Sequence, residues 1–354
     1  MFDYEKLNDC VKSGIFGLVV ADALGVPYEF NSRDFCDRNP MADMIGYGTY
    51  NQPEGTWSDD SSIALACLDG LSNFNLKENL NDLTIENFSE IFDYTDIMTK
   101  IANWRYKKDY TPHGEVFDIG GTTRDAIYNF HYNGVDALLA GGDSPRDNGN
   151  GSLMRILPIA FVIYFLSLKY DFSQDEEMKT IHNLSSLTHR HIRSQMACGI
   201  YVKIAIELLK NKFEESEDDL TLLEIVNRGI SNAKDYYLSD KSFVSEIKNF
   251  EDVFSLDIHN FPREEISGSG YVINCLNAAL WCLLNNDNYR ETALAAVNLG
   301  EDTDTTAAVV GGLAGIYYSF DDIPQGWLNK IAKYDFIDEL IAEFSKNLYD
   351  VLED

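Results

Sequence analysis

Apolar residues recur along most of this chain at spacings of three and four. Ile192, Met196, Ile200, Ile204 and Leu208 fall every fourth position, and Ile337, Leu340, Ile341, Phe344 and Leu348 trace a second stripe. A period near 3.6 is what a helix with one buried face requires. Period-two runs in series are missing, and so is a regular alternation of strand and helix patterns. The eight prolines lie mostly in inferred loops or near helix starts. The pattern predicts an all-α protein, a compact bundle of many medium helices.

Within the helical pattern, small residues mark one close contact. Gly14, Gly17 and Ala21 share a helix face and would let a second helix approach nearly backbone to backbone. Asp22 interrupts that apolar run and needs a polar partner if buried. Gly25 and Pro27 end the helix and present Glu29 on a loop. From Asn211 to about 266 the pattern weakens and charge rises, as in the run from Glu214 to Asp219. This segment reads as a solvated insertion or a helical excursion. The apolar patterns on either side look like parts of one core, so a single domain over residues 1–354 is expected.

Composition narrows the partners. The 354 residues carry a formal charge of −30 and are 45% hydrophobic. Such a chain can fill a core and repels phosphate backbones and anionic lipid, so neither nucleic acid nor membrane is an expected partner. The run from Ile156 to Leu168 is short and broken by Pro158, too short to span a bilayer. No basic, apolar leader is visible at Met1–Glu5, and the six cysteines show no ligand or disulfide spacing. Free buried thiols, a cytoplasmic location and a monomer are expected.

Two acidic motifs stand nearly the whole chain apart. Ser58, Asp59 and Asp60 precede the helical pattern Ile63–Leu68, and Asp302, Thr303, Asp304 and Thr305 precede Ala307–Gly315. One acid at a helix start is explained by capping and the helix dipole. Two acids with hydroxyls between them resemble half of an oxygen cage for Mg²⁺ or Mn²⁺. The D-x-D-x-T phosphatase nucleophile is a poor alternative, because it closes a strand and Glu291–Leu299 reads as helix. An EF-hand is excluded by the missing ligand loop. The Gly-rich turn Asn148–Ser152, with Arg155 after it, could present backbone N–H groups to an anion or be a plain helix cap.

The ordered pieces G-L-V-V-A-D-A-L-G-V-P-Y-E (17–29), W-S-D-D-S (57–61), F-D-I-G-G-T-T-R (117–124), D-N-G-N-G-S-L-M-R (147–155), L-T-H-R-H (187–191), S-G-S-G-Y (267–271) and L-G-E-D-T-D-T-T-A-A (299–308) resemble the ADP-ribosylglycohydrolase family. The third piece is most similar to the bacterial dinitrogenase-reductase-activating type, which acts on ADP-ribosyl-arginine. The resemblance implies an all-α fold around two divalent cations, Mg²⁺ or Mn²⁺. It implies metal ligands at Ser58, Asp59, Asp60, Asp302, Asp304 and Thr305, where Ser58 replaces a customary Thr. It implies catalytic roles for Glu29, Asp118 and Asp304. Asn148, Gly149, Asn150, Gly151 and Ser152 would cradle the diphosphate, with His189 near the ribose or phosphates. Ser269, Gly270 and Tyr271 would lie by the adenosine, Tyr271 stacking on the base. The expected substrate is an ADP-ribosylated protein and the product ADP-ribose. Another linkage, such as ADP-ribosyl-serine, or a non-catalytic crystallin-like binding role are the alternatives.

Overall fold

In the computed structural model, residues 3–74, 83–214 and 219–353 are described. Among them are twelve helices of nine or more residues. In chain order they are α1 (Tyr4–Gly25), α2 (Asp59–Leu71), α3 (Tyr94–Lys107), α4 (Gly121–Asn133), α5 (Leu157–Ser167), α6 (Gln174–Ser186), α7 (Ile192–Phe213), α8 (Leu222–Ser239), α9 (Val272–Leu284), α10 (Tyr289–Val297), α11 (Thr303–Tyr318) and α12 (Tyr334–Glu353). No sheet forms among the described residues, only isolated bridges. The two stripes read from the sequence are α7 and α12. α10 occupies the lead-in to the second acidic motif, where the phosphatase alternative needed a strand.

The centre of the molecule is the pair α1–α11, which brings the beginning and end of the chain together. The small-residue face does what its spacing suggests. A Cβ on Gly17 would lie 2.4 Å from the Gly311 carbonyl oxygen, and one on Gly315 would lie 2.1 Å from that of Ser13. Only glycine permits that approach, so Gly17→Ala or Gly315→Ala would force the helices apart. The reward is burial of most side chains on both helices, including every one from Ser13 to Gly25. The α1 segment Tyr4–Tyr28 has the length and apolar content of a membrane span, but 94% of that window is buried inside the protein. Its hydropathy is that of a helix packed on all sides.

Buried apolar residues from Leu7 to Leu352 form one continuous cluster. The charged segment from Asn211 to about 266 contributes helix and core among its described residues. α8 packs along α7 and buries Ile225, Val226, Ile230, Ala233 and Tyr237, and Phe250, Val253 and Ile258 follow them into the core. It is therefore less solvated than its charge suggests. The acids Glu215, Glu217 and Asp218 lie outside the described residues. All six cysteines are buried and unpaired with one another.

Candidate metal centre

Four chain segments meet at one end of the α1–α11 pair: the exit of α1, the starts of α2 and α11, and the Phe117–Gly120 loop before α4. Gly25 closes α1 directly against the second acidic motif. A Cβ there would lie 2.3 Å from Asp304 Cα, and Thr303 Oγ1 donates to the Gly25 carbonyl at 2.8 Å. Asp22, one turn earlier, finds the partners its burial demands. It accepts from the backbone N–H groups of Ser58 (3.0 Å) and Ser61 (3.0 Å) and from the Ser61 hydroxyl (2.5 Å). This arrangement pins the start of α2 against α1.

Ser58 caps α2 and donates from Oγ to Asp60 Oδ2 at 2.8 Å. Thr305 Oγ1 donates to the same oxygen at 3.3 Å, joining the two motifs across 245 positions of sequence. Carboxylate oxygens of Asp22, Asp60 and Asp304 lie within 4.8 Å of one another, and so do those of Glu29, Asp118 and Asp304. Asp304 belongs to both groups. Asp59 lies beside Asp118 and Asp60.

The electrostatics of this assembly are unfavourable as they stand. Asp59, Asp60 and Asp304 are held well above the usual carboxylate range, first by burial and then by their acidic neighbours. Burial and Asp118 push Glu29 up to about 8. Asp22 rises to about 6 through burial, restrained by its hydrogen bonds from Ser61 and Ser58. Asp302 is raised by burial and partly relieved by Asn150. Among the described residues, no ion pair reaches any of these acids. Glu29 Oε2, Asp60 Oδ1 and Asp304 Oδ2 are buried without a well-formed hydrogen bond. The positive ends of α2 and α11 supply partial compensation only. Orphaned hard oxygens from several segments are the donor set that divalent cations of the Mg²⁺ or Mn²⁺ kind accept, so the residues present fit such ions.

A second layer adjoins the acids. Asn150 Nδ2 donates to Asp302 Oδ2 at 2.9 Å, and the Asp302 N–H donates to Gly268 O at 2.9 Å. Asn148–Asn150 pairs antiparallel with Gly270–Val272, as Asn150 N donates to Gly270 O and Val272 N to Asn148 O. The predicted diphosphate and adenosine segments are thus adjacent. His189 lies beneath them: a Cβ on Gly151 would come within 2.8 Å of its ring. Burial, then Arg155, pushes His189 down to about 3, so the ring is neutral, with Nδ1 2.9 Å from Thr188 Oγ1. Ser269 Oγ accepts from Asn274, and the Tyr271 ring lies 5.9 Å from the Arg193 guanidinium.

Some sequence readings need correction here. Arg155 offers no charge to an anion. It is buried and donates to Leu184 O and Thr188 Oγ1, tying the end of α6 to the turn before α5. The side chains of Asn148 and Ser152 are likewise engaged inside the protein, by Ser194 and Ser185. One positioning residue was missed. Arg33 donates to the carbonyls of Leu299 (2.9 Å), Arg263 (2.6 Å) and Ile266 (2.5 Å), fastening together the segments that lead into Gly268 and Gly300. An arginine aimed at three carbonyls leaves no periodic signal in sequence.

The ADP-ribosylglycohydrolase family model matches residues 3–353. The ADP-ribosylarginine hydrolase Tri1 of Serratia proteamaculans is 30% identical, over 95% of this chain and 78% of its own length. The ADP-ribosyl-[dinitrogen reductase] glycohydrolase of Rhodospirillum rubrum is 25% identical over 92% of this chain and 91% of its own. The ADP-ribosylhydrolase ARH3 of Bos taurus is 24% identical over 92% and 89%. A solved structure titled ADP-ribosylglycohydrolase-related protein complex shares the fold, with a TM-score of 0.69 at 23% identity, covering 97% of this chain and 99% of that one. A family model spanning the chain, a relative at 30% identity and a centre of converging acids lead to one assignment: this chain belongs to the ADP-ribosylglycohydrolase family and is a hydrolase.

Proposed function

We propose that this protein is a metal-dependent, single-domain hydrolase that removes ADP-ribose from modified arginine side chains of proteins. The observation that carries the reading is the cluster of carboxylates around Asp304, with orphaned buried oxygens and no ion pair to it among the described residues. The arginine linkage is supported by the Serratia relative, an ADP-ribosylarginine hydrolase, and by the F-D-I-G-G-T-T-R segment at 117–124.

Ser58, Asp59, Asp60, Asp302, Asp304 and Thr305 would hold two divalent cations. When bound, these cations supply fixed positive charge that grips the distal ribose hydroxyls and favours ionisation of water at neutral pH. Asn150 holds Asp302 from the nucleotide side and would keep that carboxylate aligned while the diphosphate lies along Gly149–Gly151. Neutral His189 can meet the substrate without adding charge. Ser269, Gly270 and Tyr271, paired to that turn, would flank the adenosine.

The scissile bond joins the anomeric carbon to a guanidine nitrogen. Asp118, half-buried at the edge of the cluster, would give a proton to that nitrogen as the C–N electron pair leaves with it. A water oxygen bonds to the anomeric carbon, and Asp304 would take the water's proton. Glu29, within reach of both Asp118 and Asp304, would relay or hold a proton between them. The products are ADP-ribose and unmodified arginine. Hydrolysis of ADP-ribosyl-arginine and ADP-ribosyl-serine peptides of one sequence, with Mg²⁺, with Mn²⁺ and with excess EDTA, tests the proposal. Turnover of the arginine peptide only in the presence of metal is expected. Full activity in EDTA, or cleavage of the serine peptide alone, overturns it.

A further inference from the structure

Phe30 follows Glu29 and is unfavourable on two counts. Its side chain is 70% exposed, and its backbone sits at φ +63°, a region that bulky L residues avoid. The conformation is imposed by neighbours, since Phe30 N donates to Glu301 O at 2.6 Å and Asn31 N donates to Tyr28 O at 3.0 Å. Two local costs at the residue after a candidate catalytic acid point towards contact with a ligand rather than stability.

Phe30 is one end of an aromatic ladder. Its ring centroid lies 6.2 Å from Tyr50, and Tyr50 lies 4.9 Å from Phe117, both pairs tilted. The ladder borders the acids at both ends, because Phe30 adjoins Glu29 in sequence and Phe117 adjoins Asp118. The loop that carries Tyr50 is fastened to the same place, with Thr49 Oγ1 donating to Glu29 O at 2.6 Å. Among the described residues, the cation–ring contacts lie elsewhere, and none uses Phe30, Tyr50 or Phe117. Aromatic faces beside carboxylates suit a flat, delocalised, weakly hydrated cation.

We propose that Phe30, Tyr50 and Phe117, flanked by Glu29 and Asp118, form the subsite that receives the guanidinium group of the leaving arginine. This rests on the arginine reading above and adds to it the residues that select the acceptor. The ring faces would hold the guanidinium plane, and Asp118 would stand at its edge, where the departing nitrogen needs a proton.

Phe30→Gly is the informative variant, because glycine adopts the positive φ without strain and little buried surface is lost. Thermal melting, KM for an ADP-ribosyl-arginine peptide and the inhibition constant of ADP-ribose should be measured together. ADP-ribose carries the nucleotide part of the substrate and lacks the arginine and the peptide that bears it. The expected result is an unchanged or higher melting temperature, a KM raised about tenfold and an unaltered inhibition constant, with Phe30→Tyr close to wild type. Unchanged KM in Phe30→Gly, or an equal loss for peptide and ADP-ribose, overturns the subsite while leaving the arginine reading intact. Wild-type protein that leaves the arginine peptide uncut overturns both.

Discussion

Between α6 and α7, Glu177 and Lys203 face each other at 2.6 Å, both largely buried. At the end of the α1–α11 pair, Glu29, Asp59, Asp60 and Asp304 are as deeply buried and, among the described residues, face acids and hydroxyls but form no ion pair. The first site follows the ordinary rule that a buried charge brings its partner with it. The second leaves the compensation to something outside the chain. The contrast separates charge that holds the fold together from charge that the fold must tolerate. The second kind is raised well above the usual carboxylate range, first by burial and then by neighbours of like sign.

Substitutions should therefore act with opposite sign in the two regions. Asp304→Asn is expected to lower turnover by at least about 1,000-fold by disrupting the metal centre. It should also raise the melting temperature of EDTA-treated protein, because one repelling charge is gone. A lower melting point with activity retained would reverse the assignment. Lys203→Met strands Glu177 and should destabilise the fold by about 3–5 kcal/mol in denaturant titrations. Its metal titration at low temperature should match wild type, and a large change there would show that the regions are not independent.

Asp22→Asn tests the boundary between the two kinds of charge. Asp22 is buried among the acids yet satisfied by Ser58 and Ser61. As a support for the start of α2, it should weaken metal affinity about 10- to 100-fold when changed, with two sites still countable by calorimetry. Loss of an entire site would instead make Asp22 a ligand.

The smallest expected effect is in pH. Glu29 moves from an ordinary value near 4.5 to about 8 on folding, so the folded chain binds more protons across that window. Metal-free protein should then gain stability as pH falls from about 8, and added cation should suppress the gain. His182 and His189 work in the other direction. Burial lowers them to about 4 and about 3, so their contribution is complete above about 6.5 and is lost as pH falls below it. A melting temperature of EDTA-treated protein that does not change between pH 8 and 6.5 would contradict the raised acids.

Much of this was legible in the sequence because the signals are local. Helical periodicity gave α7 and α12, Gly14, Gly17 and Ala21 gave the close face of α1, and the paired acids announced themselves by repelling one another. Less legible were the supports. Asp22 reads only as an anomaly in an apolar helix until Ser58 arrives from 36 positions away. Arg33 acts on carbonyls, which every residue has, and Arg155 next to a Gly-rich turn looks like an anion ligand until its burial is known. The strain at Phe30 depends on Glu301, at the far end of the chain. Long-range hydrogen bonds to backbone carry no residue-type signature, so local pattern cannot find them.

On the reading proposed above, the acids around Asp304 are a receptor for cations. Calorimetric titration of Mn²⁺ into EDTA-stripped protein tests it most directly, with Asp304→Asn alongside. Two saturable equivalents per wild-type chain, and loss of both tight sites in the variant, are the predicted result. No saturable binding to folded wild-type protein, or identical isotherms for the two proteins, would contradict it.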